Sequence, residues 1–324
     1  MDDVVDKLAV LGVGILAWVI ITLIIVAVSD LGRGRAKERW QIVLFLAPAL
    51  LLLILGLVIP AIRTTILAFY GPSGDEFVGW DNVTWMFTQQ QALTTLRNTA
   101  LWVLLAPVLS TAIGLLYAIL VDRTRGEAVA KTFVFLPMAI SFVGASIIWG
   151  YVYAFDPTSE SQTGLVNAII VVFGGESIQL LNESSFALNT FLLIVVLVWI
   201  QAGFAMVILS AAIKGIPDDI VEAARIDGTT PVQRFFYITL PSIRPALIVV
   251  LATITITTLK VFDIVRTATG GNFNTSVVAN EFYVQAFVQN NLGRGAVLAA
   301  FLFVLVLPLV AYQIRILRQT QEIR

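Results

Sequence analysis

The sequence predicts an all-α membrane protein, a polytopic bundle of about seven transmembrane helices. Of its 324 residues, 58% are hydrophobic and 13% are charged, whereas charged residues make up about a quarter of soluble globular chains. A bilayer core about 30 Å thick requires roughly 20 apolar residues of helix. The runs that approach this length are residues 8–28, 42–62, 99–121, 132–155, 186–213, 246–265 and 296–313.

The first run is interpreted as a retained helix, because it lacks a basic leading region and a small-residue cleavage site. With the basic loop that follows, residues 1–40 form an extra N-terminal transmembrane helix and a cytoplasmic loop. Residues 41–324 form one membrane domain. Four of the later runs contain an internal proline, which is tolerated where neighbouring helices satisfy the freed carbonyls. These prolines are Pro48, Pro107, Pro137 and Pro308.

The distribution of Lys and Arg predicts the orientation, because these residues accumulate in cytoplasmic loops. The net charge is only −1, but the basic residues concentrate in alternate loops. They are Arg33, Arg35, Lys37, Arg39, Arg123, Arg125, Lys131, Lys214, Arg225, Arg234, Arg244, Arg315, Arg318 and Arg324. The N-terminus is therefore expected outside, and the C-terminus and the loop 214–245 in the cytoplasm. The outer loop 156–185 contains an apolar run, 163–173, too short to span, which lies on the interface or folds back onto the bundle.

The polar stretch 216–245 is predicted to form two short helices that contact a partner. Pro217 suits a first helical position, and Asp218, Asp219 and Glu222 place negative charge near the positive end of the helix dipole. Gly228 fits a left-handed helix end.

The second helix of this stretch has its own start and stop signals. Thr230 and Gln233 have capping-box spacing, with Pro231 between them, and Pro241 is expected to end the helix. The stretch therefore reads as a cytoplasmic helix-turn-helix between two spanning segments.

Ionisable groups inside the membrane are candidate functional residues, because burying them in lipid costs a few kcal/mol. Lys260 and Asp263 are predicted to lie in the outer half of one spanning helix and to share a face. They form either a structural ion pair or part of a solute cavity. Gly270 and Gly271 follow at the outer end of that helix and are either turn residues or part of a gate.

The fifth run carries Trp199, Gln201 and Phe204 near its centre. Rings stack on sugar faces and an amide hydrogen-bonds to hydroxyls, so this group suits a sugar pathway; helix packing is the alternative. Asn98, Thr99 and Tyr117 are expected to serve capping and packing.

Several function classes are excluded or disfavoured. The chain has no Cys and no His, which removes thiolate and imidazole chemistry. It has no phosphate-binding Gly-rich loop, no cofactor fingerprint and no filter sequence of an ion channel. Any energy for transport would come from another component.

The polar stretch also carries a diagnostic pattern. Glu222, Ala223, Ala224, Gly228, Ile238, Leu240 and Pro241 stand at the spacing of the EAA signature. The chain thereby resembles the membrane (permease) subunits of binding-protein-dependent ABC importers. The resemblance continues from about Ile42 to the C-terminus.

Further segments are similar to carbohydrate permeases of the maltose and alpha-glucoside type. They are residues 77–79, 81–82, 97–99, 164–167 and the run 260–265 leading to 269–271. The family usually continues with glycine and proline where this chain has Asn272 and Phe273, and an aromatic residue is common where it has Arg266.

The resemblance implies a permease subunit that imports an oligosaccharide or disaccharide by alternating access. Its partners would be a second permease subunit, two ABC ATPase subunits, an extracytoplasmic solute-binding protein and the lipid bilayer, with no nucleic acid. The EAA segment would dock on an ATPase subunit, and ATP and Mg²⁺ would be bound there, so the chain itself needs no cofactor and no metal and is not an enzyme. Trp199, Gln201, Phe204, Lys260, Asp263 and the 270–271 turn would line the substrate pathway.

Three alternatives stay open. An importer of glycerol phosphate or another polyol would use Lys260 and Arg266 as anion contacts. A secondary transporter or channel would transport without ATP, and a membrane-embedded enzyme would need clustered catalytic groups.

Overall fold

The structure is a computed structural model that describes residues 2–29, 35–122, 124–157, 163–182 and 187–322. Arg33, Arg123 and Arg324, used above for the orientation, lie outside these residues. Sixteen α-helices and no strand occur in the described ranges, which confirms the all-α class. The helices are α1 (Asp2–Ser29), α2 (Arg35–Leu53), α3 (Ile59–Leu67), α4 (Asp81–Thr88), α5 (Gln90–Val121), α6 (Glu127–Phe135), α7 (Phe142–Val152), α8 (Leu165–Val172), α9 (Leu188–Lys214), α10 (Asp218–Ile226), α11 (Pro231–Arg234), α12 (Leu240–Ser242), α13 (Arg244–Leu259), α14 (Asp263–Ala268), α15 (Val278–Tyr283) and α16 (Leu292–Glu322).

The chain divides into two units, Met1–Thr64 and Thr65–Arg324. In the first unit, α2 continues through a π-helical turn, Ile54–Val58, into α3. Most large apolar side chains described there are exposed, as expected of helix surfaces that lipid covers. The predicted boundary at residue 40 stays a prediction.

The second unit is built around the pair α5 and α9. Gly114 of α5 allows the close approach, since a Cβ atom at this position would lie 2.5 Å from the Ala205 Cβ and 2.7 Å from the Met206 amide nitrogen of α9. Small residues play this role at helix contacts in membranes, where no hydrophobic effect drives the helices together.

Three apolar clusters surround this pair. One joins α5, α7, α9 and α14 around Trp102 and Ile264. A second joins α4, α15 and α16 around Met86 and Leu298. The third, around Met206 and Ile254, joins α5, α9 and α13. All three lie within the second unit, so the helices of this unit pack on one another through these clusters.

Four helical stretches are long and apolar enough to cross a membrane, and two bent pairs raise this number to six in the described residues. The long stretches are Gln41–Leu67, Gln90–Val121, Leu188–Lys214 and Leu292–Arg315. A membrane helical bundle is thus confirmed. The count of seven and the placement of the termini stay predictions.

Three predicted spans differ from the structure. The run 132–155 is not one helix: Glu127–Ala139 and Phe142–Val152 meet at 104°. Pro137 has no amide hydrogen to continue the helix, and the Ser141 hydroxyl accepts from the Gly144 N–H at 3.1 Å, which starts α7 anew.

The third predicted helix begins at Gln90 and not near Thr99, so Asn98 and Thr99 lie inside α5 and do not cap it. Hydropathy predicts the part of a helix that lies in lipid. Residues 90–98, which include several polar side chains, extend α5 beyond that part. Similarly, α13 ends at Leu259, where the Lys260 and Val261 N–H groups donate to the Thr257 and Thr258 carbonyls in a tightened last turn.

The short apolar run in the outer loop forms α8, and it packs onto the bundle. The buried Asn167 amide donates to the carbonyls of Ala154 (2.8 Å) and Ile178 (3.0 Å), and its oxygen accepts from the Ile178 N–H. The fold-back alternative is therefore the one observed.

Candidate functional site

The first candidate site is the helix-turn-helix 216–245, called the coupling loop below. Its first helix, α10, begins at Asp218 with Pro217 as the capping residue, one position later than predicted. Asp218 and Asp219 occupy the first turn and Arg225 the last, so both ends complement the helix dipole.

Gly228 makes the turn between the two helices. Its φ is +74°, a conformation that costs an L-residue about 1–2 kcal/mol. The Thr229 N–H and hydroxyl both reach back to the Ala224 carbonyl, at 3.2 and 2.6 Å, and satisfy an acceptor that the helix end leaves free.

The second helix begins with the predicted capping box. The Thr230 N–H donates to the Gln233 side-chain oxygen at 2.8 Å, and the Gln233 N–H donates to the Thr230 hydroxyl at 3.3 Å. The helix passes through a π-helical turn, Phe235–Thr239, into α12. It ends at Ser242 and not at Pro241, and the chain then bends by 68° into α13.

The motif residues divide by exposure. Glu222 and Ala223 are exposed, as is Pro241, whereas Ala224 is buried and Ile238 and Leu240 are half-buried. An exposed acidic face on one side and apolar contacts on the other suit a loop that is held by its own subunit and presents a surface to another.

A cavity of about 180 Å³ separates the coupling loop from the bundle. Its walls include Ile119 and Asp122 at the end of α5, and Val221, Arg234 and Ile238 of the loop. The coupling loop therefore lies at the end of α5 and α9 that contains Asp122 and Lys214.

Four charged residues join three helices at this same end. Lys131 of α6 lies 2.6 Å from Glu127 and 3.8 Å from Asp122, and Lys214 of α9 lies 3.5 Å from Asp122 and also contacts Glu127. Lys131 contacts the Ser210 hydroxyl as well. The network links the ends of α5, α6 and α9 beside the coupling loop.

The predicted pathway residues of α9 do not converge on one cavity. Trp199 stacks edge-on against Trp149 with ring centroids 5.8 Å apart, and Phe204 packs on the cluster around Met206. Gln201 is half-buried, two positions from Trp199, and therefore lies on a different side of the helix.

Lys260 and Asp263 do not share a helical face, which corrects the prediction. Lys260 follows the last residue of α13, and Asp263 starts α14 after an irregular step. Both side chains are exposed, and no ion pair joins them, although both belong to the described residues. The structural ion pair is therefore absent. The helix is thus broken between Leu259 and Asp263, and Lys260 and Asp263 are both exposed at the break.

Gly270 and Gly271 begin a loop at the opposite end of the bundle from the coupling loop. The separation follows from α5, whose 32 residues extend about 48 Å. Gly271 lines a cavity of about 660 Å³ there, with the glutamines at 89–91, Arg97 and the loop residues 272–274. These glutamines are not predicted as a site from the sequence. The available signal was three consecutive amides just before an apolar run.

The second unit is thus an apolar helical bundle with an exposed helix-turn-helix at one end and a polar cavity at the other. Residues 110–317 match the family described as "binding-protein-dependent transport system inner membrane component". The chain belongs to this family, and the predictions of a permease subunit and of an inner-membrane location are confirmed.

Individual proteins are similar over most of their length. The chain is 45% identical to the osmoprotective compounds uptake permease protein GgtC of Synechocystis sp., over 87% of this chain and 100% of GgtC. It is also 45% identical to the alpha-glucoside transport system permease protein AglF of Rhizobium meliloti, over 90% of this chain and 85% of AglF. In fold it resembles a chain of a bacterial ABC transporter involved in import of the acidic polysaccharide alginate, with a TM-score of 0.73, 22% identity, and 87% of this chain and 96% of that chain covered.

Proposed function

We propose that this subunit carries a disaccharide or oligosaccharide inward across the cell membrane by alternating access, driven by ATP hydrolysis in partner subunits. The observation that carries the proposal is the exposed coupling loop at one end of α5 and α9, in a chain similar to an alpha-glucoside permease. The rigid pair α5–α9 then transmits motion from the loop to the opposite end of the bundle.

The coupling surface consists of the EAA motif and its turn. Glu222, exposed on α10, pairs with a basic residue of an ATPase subunit. Gly228 sets the angle between the helices, and Ile238, Leu240 and the buried Ala224 hold the loop on its own subunit. Ala223 and Pro241 complete the exposed face.

The substrate pathway runs past α9 and the break after α13. We assign to it Trp199, Gln201 and Phe204, with Lys260 and Asp263 at the break and Gly270–Gly271 at the outer turn. The exposure of Lys260 and Asp263 and their lack of an ion pair with each other support this role, since unpaired ionisable groups within a membrane segment face water or protein.

The assembly requires components beyond this chain. A second permease subunit completes the pathway, two ATPase subunits bind ATP and Mg²⁺, and an extracytoplasmic binding protein delivers the sugar. Hydrolysis occurs in the partners, and this chain has no enzymatic step.

The test is made on the complete complex, purified with its ATPase subunits. Glu222→Lys is expected to reduce ATPase-subunit retention or sugar-stimulated ATP hydrolysis about tenfold or more, because reversing one charge of a close pair leaves both without a partner. The matched control is Asp75→Lys, which reverses an exposed charge outside the coupling loop. Full maltose uptake and intact assembly in Glu222→Lys would rule out the coupling role.

A polyol phosphate is the second candidate substrate. Arg266 lies over the Tyr283 ring, 4.8 Å from its centroid, and both Arg266 and Lys260 are exposed, so these two cations are the candidate contacts for a phosphate. A competition experiment distinguishes the two candidate substrates. If the polyol phosphate is the substrate, glycerol 3-phosphate should inhibit transport by the complex, whereas maltose and sucrose should not. Uptake that continues without ATP or ATPase subunits would instead indicate a secondary transporter.

A further inference from the structure

The cavity at the outer turn has a lining rich in uncharged hydrogen-bonding groups. The three glutamines at 89–91, Thr94 and two asparagines of the loop face it, and among the described residues Arg97 is the one charged member of its lining. Its volume of about 660 Å³ lies within the range of small-molecule sites. Amides and hydroxyls without a carboxylate suit a neutral polyhydroxylated ligand.

The loop that forms one wall adopts an unusual backbone. Gly270 and Gly271 have φ of +68° and +87°, and the non-glycine residues Phe273 and Asn274 have φ of +54° and +60°. For a bulky residue such as phenylalanine a positive φ is a genuine outlier. Strain of this kind persists only where the surroundings enforce it, and it concentrates at functional positions.

Asparagines from two helices enforce this conformation. The buried Asn98 of α5 donates to the carbonyls of Asn274 and Ser276, at 2.5 and 3.0 Å. The buried Asn189 of α9 donates to the Phe273 carbonyl at 2.7 Å. The loop is therefore fixed to the two central helices and is preorganised.

Side chains of the cavity lining are fixed as well. Glu281 is buried, and its carboxylate accepts from Gln91 at 3.2 Å, from Gln285 at 2.8 Å and from the Ser276 hydroxyl at 3.3 Å. Gln91 and Ser276 both line the cavity. The buried Glu281 carboxylate thus orients the Gln91 and Ser276 side chains of the cavity lining.

Phe273 completes the arrangement. Its side chain is 48% exposed and belongs to the cavity lining, although its backbone is held in the costly left-handed conformation. A residue such as Asn or Gly would adopt that backbone more easily, so packing and backbone preference do not account for a phenylalanine here. An exposed ring beside amides and one guanidinium matches the surfaces that bind a sugar ring: a flat apolar face and hydroxyl partners.

We propose that this cavity is a carbohydrate subsite at the outer mouth of the subunit, where Phe273 stacks on a sugar ring and the glutamines at 89–91 and Arg97 bind its hydroxyls. The inference rests on the proposed function. The subsite captures the sugar when the binding protein releases it and keeps it from returning to the outside before access alternates.

The test compares variants of the complete complex in vesicles, with its binding protein at saturation and sucrose, trehalose and maltose as probes. Phe273→Asn removes the ring but tolerates the left-handed backbone, and it is expected to reduce sugar transported per ATP hydrolysed about fivefold to tenfold. Phe273→Trp keeps a ring and is expected to stay within about twofold of the unaltered complex. Phe87→Ala is the matched control, because Phe87 is 52% exposed and lies outside the cavity lining.

Each other outcome rejects the subsite. If Phe273→Asn raises the half-saturating concentration of binding protein and leaves sugar per ATP unchanged, the loop is a docking surface for that protein. Equal losses in Phe273→Asn and Phe87→Ala would indicate a general effect on folding. If the unaltered complex transports none of the sugars, both the proposed function and the subsite are rejected. If the unaltered complex transports a sugar and the Phe273→Asn variant transports as much of it per ATP, the subsite alone is rejected.

Discussion

At the scale of single residues, the two notable backbone positions differ in what surrounds them. Gly228 has open space where a Cβ would stand, so its requirement is purely conformational. Phe273 has a bulky side chain at a positive φ, which such residues disfavour. The hydrogen bond from Asn189 to the Phe273 carbonyl helps to hold this backbone conformation. The first position serves a turn that local sequence determines, whereas the second depends on the assembled bundle.

Gly228→Ala is predicted to weaken the coupling loop by about 1–2 kcal/mol, because alanine at positive φ brings Cβ too close to the following carbonyl. Gly228→Asn should lose less stability than Gly228→Ala, because asparagine adopts the left-handed conformation more readily. Retention of the ATPase subunits during purification of the complex measures the effect. Equal retention in the alanine variant and the unaltered complex would show that the turn does not need its left-handed residue.

At the scale of helices, the contact between α5 and α9 limits side-chain size. Gly114→Ala is predicted to destabilise the bundle by about 1–3 kcal/mol, because the added methyl group overlaps Ala205 and the backbone of Met206. Gly150→Ala is the control, since a Cβ at Gly150 meets nothing within 4 Å. Thermal unfolding of the solubilised complex, followed by tryptophan fluorescence, should show a lower midpoint for Gly114→Ala alone. Matching midpoints for both variants would contradict the close contact.

The helices also show what the sequence could predict. The capping box of Thr230 and Gln233 was predictable because its signal lies within four residues. The apolar runs located the four long helical stretches, because lipid imposes the length of a spanning helix. The 104° bend after α6 and the end of α13 at Leu259 were not predicted, because hydropathy does not record backbone direction. The EAA residues were identified by their spacing, but the outer cavity was missed because Asn98 and the loop carbonyl it binds are 176 positions apart.

At the scale of the whole molecule, the orientation in the membrane is a prediction that the absence of cysteine makes easy to test. Asp75→Cys lies in a predicted outer loop and Asp219→Cys in the coupling loop, and both positions are exposed. Because Lys and Arg concentrate on the coupling-loop side, a membrane-impermeant maleimide should label only Asp75→Cys in sealed right-side-out vesicles. Permeabilised vesicles, in which both variants should react, provide the control. Labelling of Asp219→Cys in sealed vesicles would invert the assigned topology.

The loop of residues 270–274 has a consequence for the order in which parts of the protein fold. Its left-handed residues are held by Asn98 and Asn189, which lie 176 and 84 positions earlier in the chain than the carbonyls they bind. Closing such long segments costs chain entropy that local contacts do not repay. The loop is therefore expected to acquire its shape only after α5 and α9 have packed, so that the outer cavity of a newly synthesised subunit forms after the helices that support it.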